Sequence, residues 1–486
     1  MMDEKHKACY AAFKSKDSRF DGHFFVGVTS TGIYCRPVCR ARLPKAENCI
    51  FFATAAEAEQ AGFRPCLQCR PELAPGLAPI DALRTLARLA ARLLEENCGN
   101  IENLEELAAH LGCTHRHLRR VFNKEYHVSP VEYLLTCRLL LAKSLLTDTK
   151  LSILDVAMTS GFGSLRRFND VFKKQYHLVP TALRKQTTEH ARHFEDNTTL
   201  TLGYRPPYEW DKLLSFFCMR AIPGIEVVRD GAYYRTVRLV GKGQKEAIGW
   251  IKVENTPKKN ALNITVSASL LPVLLQVISR VKHMFDLNCD PNIIYETLCA
   301  MNELSPGLCV AGTRLPGCFD PFEMSVRAIL GQQITVKAAT TLAGRMVQNM
   351  GTPIQTGIDG LTHVFPSTTA IIKEPVSDKL WSSGIFAARG NAIYALAKGL
   401  EDGIIMLSTV SDPKVTMEQL MKIRGIGAWT AGYIAMRALG WADVFLETDC
   451  GIQRALKSFT KKELLALAEK WRPWRSYATI NLWNSL

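Results

Sequence analysis

A chain of 486 residues is longer than one hydrophobic core organises, so several domains are expected. Its 47% apolar and 22% charged residues are those of a folded protein, and no run of about 18 apolar residues marks a membrane span. The net charge of +14 is shared by both halves, which excludes a single basic tail and leaves nucleic acid, an anionic surface or plain solubility as its purpose.

The N-terminus, MMDEKHKACY, has no apolar leader, so a cytoplasmic protein is expected. Fifteen cysteines are an odd number for a disulfide framework, and most stand singly (Cys98, Cys137, Cys218, Cys299), where a buried thiol is the default. Residues 1–78 mix alternating apolar runs (HFFVGVTSTGIYC, NCIFFAT) with a short helix (AAEAEQAG) and end at PELAPGLAP. They hold two cysteine pairs, Cys35 with Cys39 and Cys66 with Cys69. In a reducing compartment two short-spaced pairs a few dozen residues apart fit one tetrahedral Zn2+, which also offsets the thin core of so small a domain. Such a centre either serves folding alone or holds a reactive thiolate. Arg36, Arg40 and Arg42 beside it would draw a phosphate to the sulfur.

Residues 79–187 are helix-periodic and internally duplicated. LEELAAHLGCTHRHLRRVFNKEYHVSPVEYL and ILDVAMTSGFGSLRRFNDVFKKQYHLVPTAL each give a helix, a turn at Gly112 or Gly161, a second helix rich in arginine and a YH-x-x-P exit. The second helices, near 114–123 and 164–175, carry His115, Arg116, His117, Arg119 and Arg120, then Arg166, Arg167 and Asn169. Such donors suit phosphates and base edges in a major groove, though a solvated basic face would also contain them. The polar stretch 188–198 reads as a linker. Strand alternation (YYRTVRLV, AIGWIKVEN, ALNITVSAS) then fills a lobe over 199–308, and 309–486 is helical again. The expected class is multidomain α+β: a small zinc-bound α/β domain, an all-helical double helix-turn-helix domain, an antiparallel β lobe with helices, and an all-helical C-terminal domain.

In that last domain Gly425 and Gly427 flank Ile426 between two apolar helices, a hairpin whose following N–H groups can seat a phosphate. Asp449 opens a helix downstream, as an N-cap or as a carboxylate placed for chemistry.

The stretches STGIYCRPVCRAR and GFRPCLQCRPE resemble the zinc domain of the Ada adaptive-response regulators. By that resemblance Cys35, Cys39, Cys66 and Cys69 bind one Zn2+, and Cys35 accepts a methyl group from a DNA methylphosphotriester, once and irreversibly. The second methyltransferase signature of that family, Pro-Cys-His-Arg, does not occur, so repair of O6-alkylguanine is not expected. The duplicated helical block is similar to AraC-type DNA-binding domains. YRPPYEW, RLPGCFDPFEMSVRAILGQQITVKAA, IRGIGAWTAGYIAMRA and KWRPWRSYATINLW resemble the AlkA-type 3-methyladenine DNA glycosylases, with a helix-hairpin-helix fold over the C-terminal domain.

Carried over residue by residue, this last resemblance makes Asp449 the catalytic carboxylate and Leu315 the wedge that fills the duplex. Trp429, Tyr433, Trp483 and Phe216 would line the pocket. Related enzymes that also cleave the strand place a Schiff-base lysine where this chain has Trp429, so a monofunctional enzyme is expected. Thr448 stands where an acid is frequent and Cys450 where a tyrosine is usual. The resemblance further implies a monovalent cation near Gly425, with double-stranded DNA and RNA polymerase as partners, and the tandem reading heads in one chain remove the usual need for a dimer, so a monomer is expected. The competing reading is a non-enzymatic zinc-containing regulator whose glycosylase-like lobe only grips DNA.

Overall fold

The computed structural model describes residues 4–16, 24–52, 55–69, 71, 79–98, 103–149, 151–187, 197–241, 245–373, 382–408 and 411–486. The linker expected at 188–198 lies almost wholly outside them. Two compact units make up the chain: 1–95 with 101–137, and 96–100 with 138–486. No helix among the described residues is long and apolar enough to cross a membrane.

The first unit begins with α1 (Glu4–Ser15) and a four-stranded sheet of β1 (Phe25–Val28), β2 (Ile33–Cys35), β3 (Cys49–Phe52) and β4 (Arg64–Pro65), ordered β3-β1-β2-β4. A short α2 (Ala55–Gln60) precedes β4. Its apolar burial is divided between two small clusters, Ala12, Phe13, Phe24 and Val26 with five cysteines, and Phe25, Tyr34, Phe52 and Ala58, so apolar burial alone leaves this sheet weakly held.

Next come α3 (Pro79–Asn97), α4 (Leu104–His110), α5 (His115–Tyr126) and α6 (Pro130–Asp148); in the second unit α7 (Ile153–Thr159), α8 (Leu165–Tyr176) and α9 (Pro180–Thr187) repeat the pattern. The duplication read from the sequence is matched in local detail. Thr114 and Ser164 cap α5 and α8 by accepting the backbone N–H three residues on, each at 3.2 Å. Gly112 and Gly161 turn at positive φ, and both helices end at a left-handed histidine, His127 or His177.

Beyond these lies a five-stranded antiparallel sheet of β5 (Asn197–Gly203), β6 (Glu226–Arg229), β7 (Ala232–Val240), β8 (Glu246–Thr256) and β9 (Ala261–Ser267), in the order β5-β9-β8-β7-β6. The three alternating stretches noted in the sequence are β7, β8 and β9. Helix α10 (Trp210–Cys218) precedes β6, and α11 (Leu274–Met284) with α12 (Pro291–Leu298) follows β9.

The helical part comprises α13 (Pro321–Leu330), α14 (Val336–Met350), α15 (Thr368–Lys373), α16 (Ala387–Glu401), α17 (Pro413–Met421), α18 (Ala428–Ala438), α19 (Cys450–Ala455), α20 (Lys461–Glu469) and α21 (Arg475–Asn484). Its core gathers Ile329 and Leu330 of α13, Met346 of α14, Leu396 of α16, Leu420 of α17 and Ile434 of α18.

A buried ionic group fastens the sheet to α13. Arg235 of β7 donates to Glu323 at 2.6 Å, and Arg327 donates to Glu226 of β6 at 2.8 Å and to Glu323 at 3.4 Å. Tyr233 and the Ile222 N–H complete the Glu226 carboxylate at 2.5 and 2.9 Å. Burial by itself would push both acids up. Arg327 and Arg235 overcome it at Glu226, which is held below its ordinary value, whereas Glu323 stays above its own. Removing one partner strands a buried charge, so Glu226→Ala should cost about 3–5 kcal/mol, read as a lowered calorimetric transition of the second unit, with Glu226→Gln costing less.

Candidate functional site

Strand β2 ends on Cys35, and β4 runs directly into Cys66. They pair in parallel, Ile33 opposite Arg64 and Tyr34 opposite Pro65, so both chains leave the sheet side by side. The Cys66 N–H donates to the Tyr34 carbonyl at 3.0 Å. A tight turn, closed by the Cys39 N–H on the Arg36 carbonyl at 3.0 Å, returns Cys39 to Cys35. The Arg36 N–H donates to Cys69 Sγ at 3.4 Å.

The four sulfurs all lie within 4.8 Å of one another, in buried residues. Tetrahedral zinc at about 2.3 Å from each sulfur would hold them about 3.8 Å apart, and Cys39 and Cys66 already stand at 4.0 Å. The residues fit the metal. Hydrogen bonds from Cys35 and Cys69 lower the Cys39 thiol, while Cys35 is raised, chiefly by its bond to Cys39. Four thiols this close become thiolates together only around a cation. Cys35 and Cys66 keep 5% and 8% exposure, against 1% and 0% for Cys39 and Cys69.

One expectation is corrected here. Arg36 is fully buried, so its side chain cannot present a phosphate to the sulfur. Arg40 and Arg42 are exposed and remain available for that purpose.

On each second helix an apolar stripe is buried, Leu118, Val121 and Phe122 on α5, and Phe168 and Phe172 on α8. The opposite faces expose Arg116, Arg119 and Arg120, and Arg166 and Arg167, with Asn169 half-buried. Of the two half-buried histidines, His117 meets Arg120 Nη2 at 3.1 Å, and His115 opens the helix.

In the helical part a cavity of about 1220 Å³ is lined by Trp429, Tyr433, Trp483 and Asp449, with Thr448 and Cys450 also on its wall. Trp429 and Tyr433 stack at 5.2 Å and 15°, and Tyr433 meets Trp483 at 6.1 Å and 60°. Asp449 is an N-cap and more. Its Oδ1 accepts from the N–H groups of Gly451 (2.8 Å) and Ile452 (3.1 Å) and from Trp483 Nε1 (2.8 Å), and its Oδ2 accepts from Trp429 Nε1 (3.1 Å). A carboxylate offers about four lone-pair sites, so Oδ1 is fully committed and Oδ2 is the oxygen with capacity left. A Cβ at Gly451 would come within 2.9 Å of Oδ1 and 2.8 Å of the Trp483 ring, which is why only glycine fits there.

The hairpin glycines have different reasons to exist. Gly425 sits at φ +96°, which favours glycine outright. Gly427 is the N-cap of α18 with φ −90° and makes no side-chain cap bond; a Cβ there would meet nothing within 4 Å. Among the described residues nothing requires glycine at 427, and no side chain caps the first N–H groups of α18, the arrangement that can accept an outside anion. Gln332 Nε2 donates to the Gly425 carbonyl at 2.8 Å, where the sequence implied a cation.

Two further assignments change. Leu315 is buried, its N–H on Asp286 Oδ2 at 3.0 Å, and Arg437 donates to the next two carbonyls, of Pro316 and Gly317. A residue so fixed cannot enter a duplex. Phe216 lies behind the cavity rather than in its wall: it stacks on Trp483 at 6.5 Å and 16°, with the Arg220 and Arg437 guanidiniums 3.7 and 4.7 Å from its ring centre.

The sequence reading missed Gln333 and the arginines. Gln333 is exposed at the cavity mouth, in the turn between α13 and α14, at φ +56°. Only the interruption GQQIT between two helical runs hinted at it. Arg437 Nη1 donates to the Tyr433 hydroxyl at 2.7 Å. Burial pushes that hydroxyl up, but the charges of Arg437, Arg220 and Arg327 outweigh it and hold Tyr433 below the ordinary tyrosine range.

Three family models match the chain: the metal binding domain of Ada over residues 8–72, a helix-turn-helix domain over 107–186, and the AlkA N-terminal domain over 199–320. A probable bifunctional transcriptional activator/DNA repair enzyme AlkA of Mycobacterium tuberculosis is 36% identical over 497 residues, covering 100% of this chain and 97% of that protein. DNA-3-methyladenine glycosylase 2 of Escherichia coli is 34% identical over 283 residues, 58% of this chain and 96% of that protein. The bifunctional transcriptional activator/DNA repair enzyme Ada of Escherichia coli is 41% identical over 116 residues, 24% of this chain and 31% of that protein.

Purified chain should hold one zinc. Cys69→Ser, at the most buried ligand, should release it and unfold the sheet around it, seen as zinc loss by metal analysis and as protease cleavage within 24–71.

Proposed function

The chain belongs to the family of AlkA-type bifunctional transcriptional activator/DNA repair enzymes, and on that premise we propose that it records alkylation of DNA at one end and removes alkylated bases at the other. We take its working parts to be 1–78, 79–187, 199–308 and 309–486.

At the front, Cys35 is the methyl acceptor. Its residual exposure supports this over Cys39 and Cys69; Cys66 is exposed to 8%, and the choice between these two rests on the matching position of Cys35 in the Ada metal binding domain, near in sequence to the exposed Arg40 and Arg42. The methyl carbon leaves a phosphotriester oxygen, which keeps the bonding pair and becomes an ordinary diester anion, and a new carbon–sulfur bond turns the Cys35 thiolate into a thioether. Bound zinc keeps the sulfurs deprotonated at neutral pH. One negative charge disappears next to a polyanion, so affinity for DNA rises and the promoter-reading helices α5 and α8 are engaged. No partner in the reaction restores the thiolate, so transfer is stoichiometric. Two reading heads in one chain let a monomer bind.

At the back, α18 seats a phosphate on its uncapped N–H groups, Gln333 takes the place of the extruded nucleotide, and the base enters the cavity. Trp429, Tyr433 and Trp483 present electron-rich rings to an N-alkylated purine, which is cationic and therefore attracted more than a neutral base. Asp449 Oδ2 steadies the developing positive sugar or orients the attacking water as the base departs. The lining includes no lysine among the described residues, which supports hydrolysis without strand cleavage. The observation that carries this half is the four-donor grip on Asp449, a residue of the cavity wall, which leaves spare acceptor capacity on Oδ2.

Asp449→Asn keeps an acceptor for the cap but sets an amide donor against the Trp429 N–H. It should lower release of 3-methyladenine from alkylated duplex by about 10²–10⁴-fold while sequence-specific promoter binding stays at the wild-type level. Unchanged release would overturn the assignment. Gly427→Asp should add a few tenths of a kcal/mol of helix capping and weaken binding to damaged duplex roughly tenfold, since its carboxylate takes the phosphate's place; melting and duplex titration read the two effects separately.

A further inference from the structure

One wall of the cavity has the wrong sign for the cationic purine it is proposed to receive. Arg220, which follows α10, and Arg437 of α18 both line it, and among the described residues neither forms an ion pair with a carboxylate. Arg437 directs Nε and Nη2 to the Pro316 and Gly317 carbonyls, and Arg220 Nη1 donates to the Phe216 carbonyl at 3.3 Å. Both guanidiniums lie against the Phe216 ring, 3.7 and 4.7 Å from its centre. The other charges nearby are already matched or distant. Arg327 of α13 is paired with Glu226 of β6 and with Glu323, which Arg235 of β7 also contacts. Asp449 is held by the two tryptophans, and Arg454 and Cys450 of α19 are exposed. The Cys318 thiol near Arg437 is pushed up to about 12 by burial, so it offsets nothing at neutral pH.

The two unmatched guanidiniums meet at one atom. Arg437 Nη1 donates to the Tyr433 hydroxyl at 2.7 Å, and Arg220 bonds the same oxygen. A phenol oxygen has two lone pairs and one proton. Two guanidinium donors fill the pairs, and neither can take the proton. Among the described residues no acceptor is bonded to that O–H. The neutral form therefore leaves its proton without a protein partner, whereas a phenolate is satisfied by both donors, and 2.7 Å is the length of a charge-assisted bond. Burial opposes a negative charge here, and the three arginines outweigh it.

We propose that Tyr433 acts as a phenolate that cancels the guanidinium wall, so that the cavity selects a cationic base over a neutral one. The proposal rests on the base-excision reading of that cavity. The phenol proton goes to solvent, and no bond of the substrate is touched. A positive purine against the stacked Trp429 and Tyr433 rings then meets a full negative charge at the edge of one of them, in addition to the electron-rich faces.

The test follows single-turnover release of 3-methyladenine from alkylated duplex by the full chain as pH is raised, beside a titration of phenolate absorbance in the ultraviolet. In the wild type one of the thirteen tyrosines should ionise below the usual value of about 10, and release should rise over the same interval. Tyr433→Phe keeps the stacked ring. It should remove that step from the absorbance titration, flatten the pH profile and lower release about tenfold at its high-pH end. Arg220→Gln keeps the tyrosine and should move both the absorbance step and the rise in release to higher pH, which reads the proposal even where Tyr433→Phe folds poorly. A wild type in which no tyrosine ionises below the rest, or in which one does and release ignores it, overturns the proposal and leaves the cavity reading standing. If the wild type releases no 3-methyladenine at any pH, the cavity reading falls and takes this proposal with it.

Discussion

The C-terminal half is organised around one carboxylate. Asp449 ties together three elements that arrive from separate parts of the chain: the hairpin helix through Trp429, the last helix through Trp483, and its own helix through two backbone N–H groups. Each of these bonds is ordinary, worth about 1 kcal/mol net and more toward a charged acceptor. Their joint effect is directional. With four donors in place the group has one orientation, and the two rings proposed to stack against a base are fixed by the same carboxylate proposed to act on its sugar.

The buried ionic group between the sheet and α13 performs a related task at longer range. Arg327 and Arg235 share two glutamates, and α13 leads directly into the turn that bears Gln332 and Gln333. Gln332 in turn holds the hairpin. The sheet is therefore a platform that sets the height of the cavity mouth.

Much of this was legible in the sequence, and the reason is spacing. Two cysteine pairs, two arginine-bearing helices with the same exit, and a glycine hairpin followed by an acid are short-range patterns whose physical meaning survives without coordinates. Residues whose role depends on burial were misread. Leu315 and Phe216 are apolar and near the site, yet both are enclosed, one by hydrogen bonds to its own segment and one by two guanidiniums. Arg36 sits in a run of arginines that all look alike in sequence, and only the fold separates the buried one from the two exposed. Gln333 went unseen because a left-handed glutamine in an interhelical turn has no compositional mark.

The double duty proposed for Asp449 has an evolutionary corollary. Most replacements would remove the helix cap together with the chemistry, so a lineage that stopped using the enzyme would be penalised in stability for mutating it. Asparagine alone preserves the shape and an acceptor for the cap, which makes it the narrow route by which such a domain could drift toward a catalytically silent DNA clamp. Selection on folding thus guards an activity even through periods when alkylating stress is absent.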